Sequence, residues 1–314
     1  MSAPHPLADL TMRPVTAERE WTALLAKLDR LPLEQSWAFG QSMAAFSRQP
    51  HRFCFEQNGK ALAVAQVVEQ GLGPVRLCHL LRGPLLLPGT SPDLLPSAMG
   101  LLRQHFRRRD RRLLLVTPEL PAGDDANALC QQAGLARIIT GYATSWVDLT
   151  RPDLEGGMGG GFRKALKKAR GEKLTLAASH GGADLDWIIR HHDDHRRQRR
   201  LMAPPARQAA SLVAAQSRPR DVLALVAKSG SSVLAGSLFI RHGGAATYYL
   251  GATSPEGRAA CAQHLLLREG MARLAADGVR WLDTGGLNSD GMRGVAQFKL
   301  GLGGELVTLA GTYL

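Results

Sequence analysis

The sequence predicts a mixed α/β protein made of two similar lobes, and three observations carry that expectation. A strand pair, a helix and a further strand follow one another in the first half and again in the second. Setting Ala63 against Ala235 and Thr117 against Thr284 keeps the halves in step to within a short loop. A glycine run (Gly156, Gly157, Gly159, Gly160, Gly161) separates them. The expected lobes are therefore residues 1–155 and 156–314, each of ordinary domain size.

Each element has its own justification. In the first half the Asn58-Gly59 turn opens the strand GKALAVAQVVEQ, and VRLCHLL supplies a second strand. Leu94, Leu95, Ala98, Met99, Leu101, Leu102 and Phe106 then recur at helical spacing. The apolar run RLLLVT reads as a buried strand after that helix. In the second half VLAGSLFIRH pairs with AATYYLGA across Gly243-Gly244. A helix follows with Leu265, Leu266, Leu267, Met271 and Leu274, and VRWLDT is the strand after it. Between the halves, ATSWVDL reads as the last strand of the first lobe, and FRKALKKAR as a helix opening the second.

Composition limits the function classes. Hydrophobic residues are 45% and charged residues 21%, which excludes a mainly disordered chain. Lys plus Arg is 39 against 27 for Asp plus Glu, a formal charge of +12 that favours polyanionic partners. That charge is also compatible with peripheral contact with an anionic membrane surface. Cys54, Cys78, Cys130 and Cys261 form no CxxC pair, which argues against a disulfide scaffold or a cysteine-built zinc site. No signal-peptide core or membrane-spanning run is evident, so the expected location is the cytoplasm.

Four features could carry chemistry. Arg163, Lys164, Lys167, Lys168 and Arg170 fall mostly on one helical face, suited to tracking phosphates. His191 and His195 have the i, i+4 spacing of a metal pair but no glutamate or cysteine to complete it, so no metal is expected. The glycine run matches neither GxxxxGK[ST] nor GxGxxG and reads as a linker. In the closing block VRWLDTGGLNSDGMRGVAQFKLGLGGE, Asp283 ends an apolar strand beside Gly285-Gly286. Lys299 lies there among glycines, able to stabilise an oxyanion if held in a dry cleft, although alone it would read as a surface lysine on a terminal hairpin.

At this point the chain resembles the Fem family. QFKLGLGGELVTLAGTY is similar to the family's closing signature, and WLDTGGL to the strand before it. LEQSWAFG resembles its N-terminal motif, and GGGFRKALKKARGEKLTL its basic helix. The match runs in order over nearly the whole chain. The resemblance implies two tandem GNAT-like lobes, and transfer of an aminoacyl group from aminoacyl-tRNA to a peptide amine on a peptidoglycan precursor or related cell-envelope acceptor. It implies no cofactor, and RNA in place of DNA as the nucleic-acid partner.

Carried onto this sequence, the resemblance makes Lys299 the residue stabilising the tetrahedral intermediate, with Phe298 beside it. Asp283 is placed to take a proton, as are groups of the substrate itself. Gln35, Ser36 and Phe39 belong to the N-terminal motif. Arg207 and Tyr248 or Tyr249 fall where the family contacts its acceptor, and the five basic residues from Arg163 to Arg170 would hold the tRNA. Met43 and Ser211 stand where family members often carry lysine and tyrosine. Two other readings follow from the same residues. One is an acyl-CoA-dependent N-acyltransferase on the same scaffold. GRAACA (Gly257 to Ala262) lies where a GNAT enzyme has its pyrophosphate loop, but Ala260 or Cys261 occupies the central glycine position. The other is a non-catalytic binder of RNA or membranes, for which 5% aromatic residues offer few stacking platforms.

Overall fold

The computed structural model describes residues 9–201, 203–287 and 293–314; residues 288–292 of the closing block lie outside the described residues. Two compact units result: Met1–Tyr142 with Thr308–Leu314, and Ala143–Val307.

In the first unit the strands are β1 (Thr11–Pro14), β2 (Arg48–Gln57), β3 (Lys60–Leu72), β4 (Val75–Leu81), β5 (Leu85–Leu86), β6 (Arg112–Thr117) and β7 (Arg137–Ile139). Its helices are α1 (Glu18–Leu25), α2 (Trp37–Met43), α3 (Leu94–His105) and α4 (Asp124–Gln132). The second unit holds β8 (Ala143–Asp148), β9 (Thr175–Ser179), β10 (Val222–Ser229), β11 (Ser232–His242), β12 (Ala245–Thr253), β13 (Trp281–Asp283) and β14 (Glu305–Thr308). Its helices are α5 (Gly160–Gly171), α6 (Gly182–Gln198), α7 (Ala206–Ala214), α8 (Pro255–Ala259), α9 (Ala262–Ala276) and α10 (Arg293–Leu300). The last strand, β15 (Thr312–Tyr313), rejoins the first unit.

The repeat is visible in the sheets. The first runs β1-β2-β3-β4-β6-β15-β7, with β5 also on β3; the second runs β14-β8-β13-β12-β11-β10-β9. Both contain three antiparallel strands, a helical crossover and one parallel strand: β2, β3, β4, α3, β6 and β10, β11, β12, α9, β13. Asn58 and Gly59 both have positive φ, as the tight β2–β3 hairpin requires. The residues alternate between faces along the first sheet: Phe53, Phe55, Ala63, Ala65 and Val67 meet α3, whereas Cys54 and Val64 meet Trp21 and Leu24 of α1. In the second unit Leu225, Ala227 and Phe239 form a core with Phe162 and Leu166 of α5 and Leu266, Leu267, Met271 and Leu274 of α9.

One expectation changes. The boundary falls after residue 142, in place of 155, because β8 hydrogen-bonds antiparallel to β13 and so belongs to the second sheet. Its counterpart in the first sheet is β15, which lies antiparallel to β6. Each sheet thus takes this strand from chain lying, in sequence, beyond the other sheet's repeat. No described helix is long and apolar enough to cross a membrane.

Candidate active site

The site is built where β13 ends. Asp283 is buried at 1% exposure, level with Trp146 on β8 and Thr247 on β12. Its Oδ1 accepts from Thr144 Oγ1 and, at 2.8 Å, from the backbone N–H of Gly285. The second bond folds the chain back on itself, and Gly285 meets the turn at φ +72. Asp283 therefore anchors the turn.

The Gly285-Gly286 turn presents a carbonyl to Lys299. Lys299 is in the last turn of α10, not on a hairpin, and its Nζ donates to Gly286 O at 2.9 Å. The same nitrogen lies 5.9 Å from the centroid of the Tyr248 ring. Burial strips water from the half-buried ammonium and pushes its pKa down to about 8, against a smaller opposing pull from Asp283. At neutral pH this is a proton-bearing but weakly hydrated cation.

Tyr248 is itself committed to the protein. Its ring is buried and its hydroxyl accepts from Gln263 Nε2 at 2.9 Å, while desolvation raises its pKa to about 12. Its ring lies beside the Lys299 ammonium. Tyr249 is the extra residue of a bulge in β12, skipped where Leu238 pairs with Leu250 and Phe239 with Tyr248.

Phe298, next to Lys299 in sequence, fastens α10 in place. Its ring lies 5.6 Å from Phe162 and 4.8 Å from His264, and those two rings are 4.6 Å apart. Gly159 N also donates to Gly301 O at 2.9 Å. The start of α5 and the end of α10 are thereby held together, so the basic helix begins beside Lys299.

Along α5, Phe162, Leu166 and Ala169 face the core and all five basic residues are exposed. They are not equivalent. Arg170 makes two bonds to Glu155, which also takes Arg268, and these cations hold the Glu155 pKa down to about 2. Arg163 donates to Gly156 O at 3.1 Å. Lys164, Lys167 and Lys168 carry no ion pair among the described residues and form the free cationic face. Arg170 is thus already paired within the protein.

The remaining expected substrate residues are placed differently. Gln35 is fully buried in the first unit: its Nε2 donates to Leu81 O at 2.6 Å and Gln66 O at 3.2 Å, and its Oε1 accepts from Gln66 N at 2.7 Å. Ser36 caps α2 by accepting from Phe39 N, and Phe39 is buried. All three are held by contacts within the fold. Arg207 is exposed near the start of α7. His191 stacks on Trp187 at 3.9 Å between ring centroids. Sequence reasoning missed Thr144, Gln263 and His264: each acquires its role only through β8–β13 pairing or the seating of α9.

With this geometry in place, the comparisons give the class. Residues 160–300 match the family described as Acetyltransferase (GNAT) domain. The crystal structure of FemX superposes with a TM-score of 0.80 at 14% identity, covering 96% of both chains. A tandem GNAT protein from the clavulanic acid biosynthesis pathway gives 0.56 at 16% identity, covering 97% of this chain and 98% of that one. L-PGS from Bacillus licheniformis gives 0.54 at 14% identity, covering 90% and 88%. No curated protein matches this chain. The second unit therefore carries a GNAT-fold acyltransferase domain. The chain as a whole has the Fem-like tandem GNAT fold.

Proposed function

We propose that the protein transfers an aminoacyl group from aminoacyl-tRNA to a peptide amine of a cell-envelope precursor. The observation that carries this reading is Lys299: a desolvated ammonium fixed on Gly286 O, beside the start of a helix with three unpaired lysines. An aminoacyl ester is already activated, so the enzyme needs orientation and charge stabilisation more than a strong nucleophile. The amine attacks the ester carbonyl, and Lys299 donates to the oxygen that becomes negative. As the intermediate collapses, the ribose hydroxyl leaves and the attacking nitrogen loses a proton. Lys164, Lys167 and Lys168 would hold the acceptor arm through its phosphates, with little base reading.

The test offers charged total tRNA and a panel of acyl-CoAs to the protein in parallel, with muramyl-peptide acceptors and mass-spectrometric detection. The expected product is an acceptor heavier by one amino-acid residue, formed only without RNase. Lys299→Ala should lower kcat by about a hundredfold to a thousandfold, with tRNA binding retained. Full activity in that variant would remove Lys299 from the mechanism, and acylation from CoA alone would assign the donor to the other class.

A further inference from the structure

The first unit carries a second basic feature that the transfer reading does not use. After α3 the chain runs Arg107-Arg108-Arg109-Asp110-Arg111-Arg112, with a 3-10 turn at Arg108–Asp110 and Arg111 at φ +58. Of these arginines, among the described residues, only Arg112 is ion-paired, to Glu69 at 3.4 Å. Arg103, Arg107, Arg108, Arg109 and Arg111 are all exposed. Arg103 is steadied by Ala133 O at 2.6 Å and Arg107 by Gln104 O at 2.6 Å. Four of the five line a groove of about 660 Å³ whose wall also includes the apolar Phe106, Leu114 and Leu135.

One exposed aliphatic residue lies at the same end of the sheet as the arginine turn. Leu72, 60% exposed, closes the β3–β4 hairpin, and the next strand is tied to the arginine turn by Arg76 N donating to Arg111 O at 2.8 Å.

We infer that this end of the first unit docks on an anionic phospholipid surface. The arginines would take the headgroup phosphates, and Leu72 would enter the boundary with the acyl chains. Single-stranded RNA fits less well, because it would need exposed rings to stack on. Phe106, the aromatic residue of the groove, is buried edge-on against Phe53 and His105. The inference is independent of the proposed reaction and of the α5 lysines.

Flotation with phosphatidylglycerol vesicles, against neutral phosphatidylcholine vesicles, tests it on the full chain. The protein should bind the anionic vesicles alone, and Arg108→Ser with Arg109→Ser should weaken binding by about fivefold per arginine removed. Leu72→Ser should lower the binding that survives high salt. Substituting Lys164, Lys167 and Lys168 by serine should leave vesicle binding in place, and Arg108→Ser with Arg109→Ser should leave transfer between soluble substrates unchanged. Vesicle binding that is indifferent to Arg108 and Arg109, or lost through the α5 lysines alone, would overturn the inference. So would arginine-dependent retention of RNA without vesicle binding.

Discussion

Lys299 links stability and activity with opposite signs. Its ammonium is disfavoured in the folded protein, with a pKa of about 8 against an ordinary lysine value of 10.5. Below pH 8 both folded and unfolded states carry the proton, and the desolvation penalty is present in full. Between about 8 and 10.5 the folded state has released it while the unfolded state has not, so stability rises with pH from this group. Catalysis needs the charged form, so kcat should fall above about pH 8. Replacing Lys299 by Met should therefore abolish turnover and stabilise the protein at pH 7 by about 1–3 kcal/mol. Denaturant midpoints of the two proteins should converge as pH is raised toward 10.5. A Lys299→Met protein no more stable than the parent would show that the ammonium is well solvated. At this scale the sequence was a partial guide. It singled out Lys299 and Asp283, but a buried polar side chain and a substrate contact look alike in one dimension. Gln35 is the clearest case: it satisfies the carbonyl of Leu81 at the end of β4 and that of Gln66 within β3, a need that exists only once β3 and β4 are side by side.

At the level of elements, hydrophobic period and turn chemistry were enough to place most of the repeat. The strands VRLCHLL and RLLLVT are β4 and β6 to the residue, and the leucine-rich segments are α3 and α9. α10 was not legible, because glycines flank a short helix that is secured by Phe298 packing on α5 and α9. The seating of α9 depends on a missing side chain. A Cβ at Gly270 would come within 2.3 Å of the Phe239 ring. Gly270→Ala should thus gain helix propensity yet lose about 1–3 kcal/mol net, read as a lower denaturation midpoint. For α5 the prediction concerns salt. Changing Lys164, Lys167 and Lys168 to serine should reduce the slope of log affinity for tRNA against log salt by about two to three. Arg170→Ser should leave that slope alone, because its guanidinium already belongs to Glu155.

For the whole molecule, the feature absent from any local pattern is the membership of β8 in the second sheet and the return of β15 to the first. Two runs of alternating residues state that a strand will form, but not which sheet will accept it. β15 is only two residues long, yet Tyr313 is fully buried among Leu114, Val116 and Cys130 and their neighbours. Tyr313→Ala should cost about 3–5 kcal/mol. Hydrogen exchange should report the loss first in β6 and β7, the two strands it joins.

The same strand imposes an order on synthesis. As the chain leaves the ribosome, residues 9–142 emerge with β6 bare on one side and β7 without its neighbour. The strand that fills the gap is translated only after all of residues 143–307. A nascent first unit must therefore wait, with an open sheet edge, while the second is made. Conditions that slow elongation through the second unit should lengthen that exposure and raise the demand for chaperone binding.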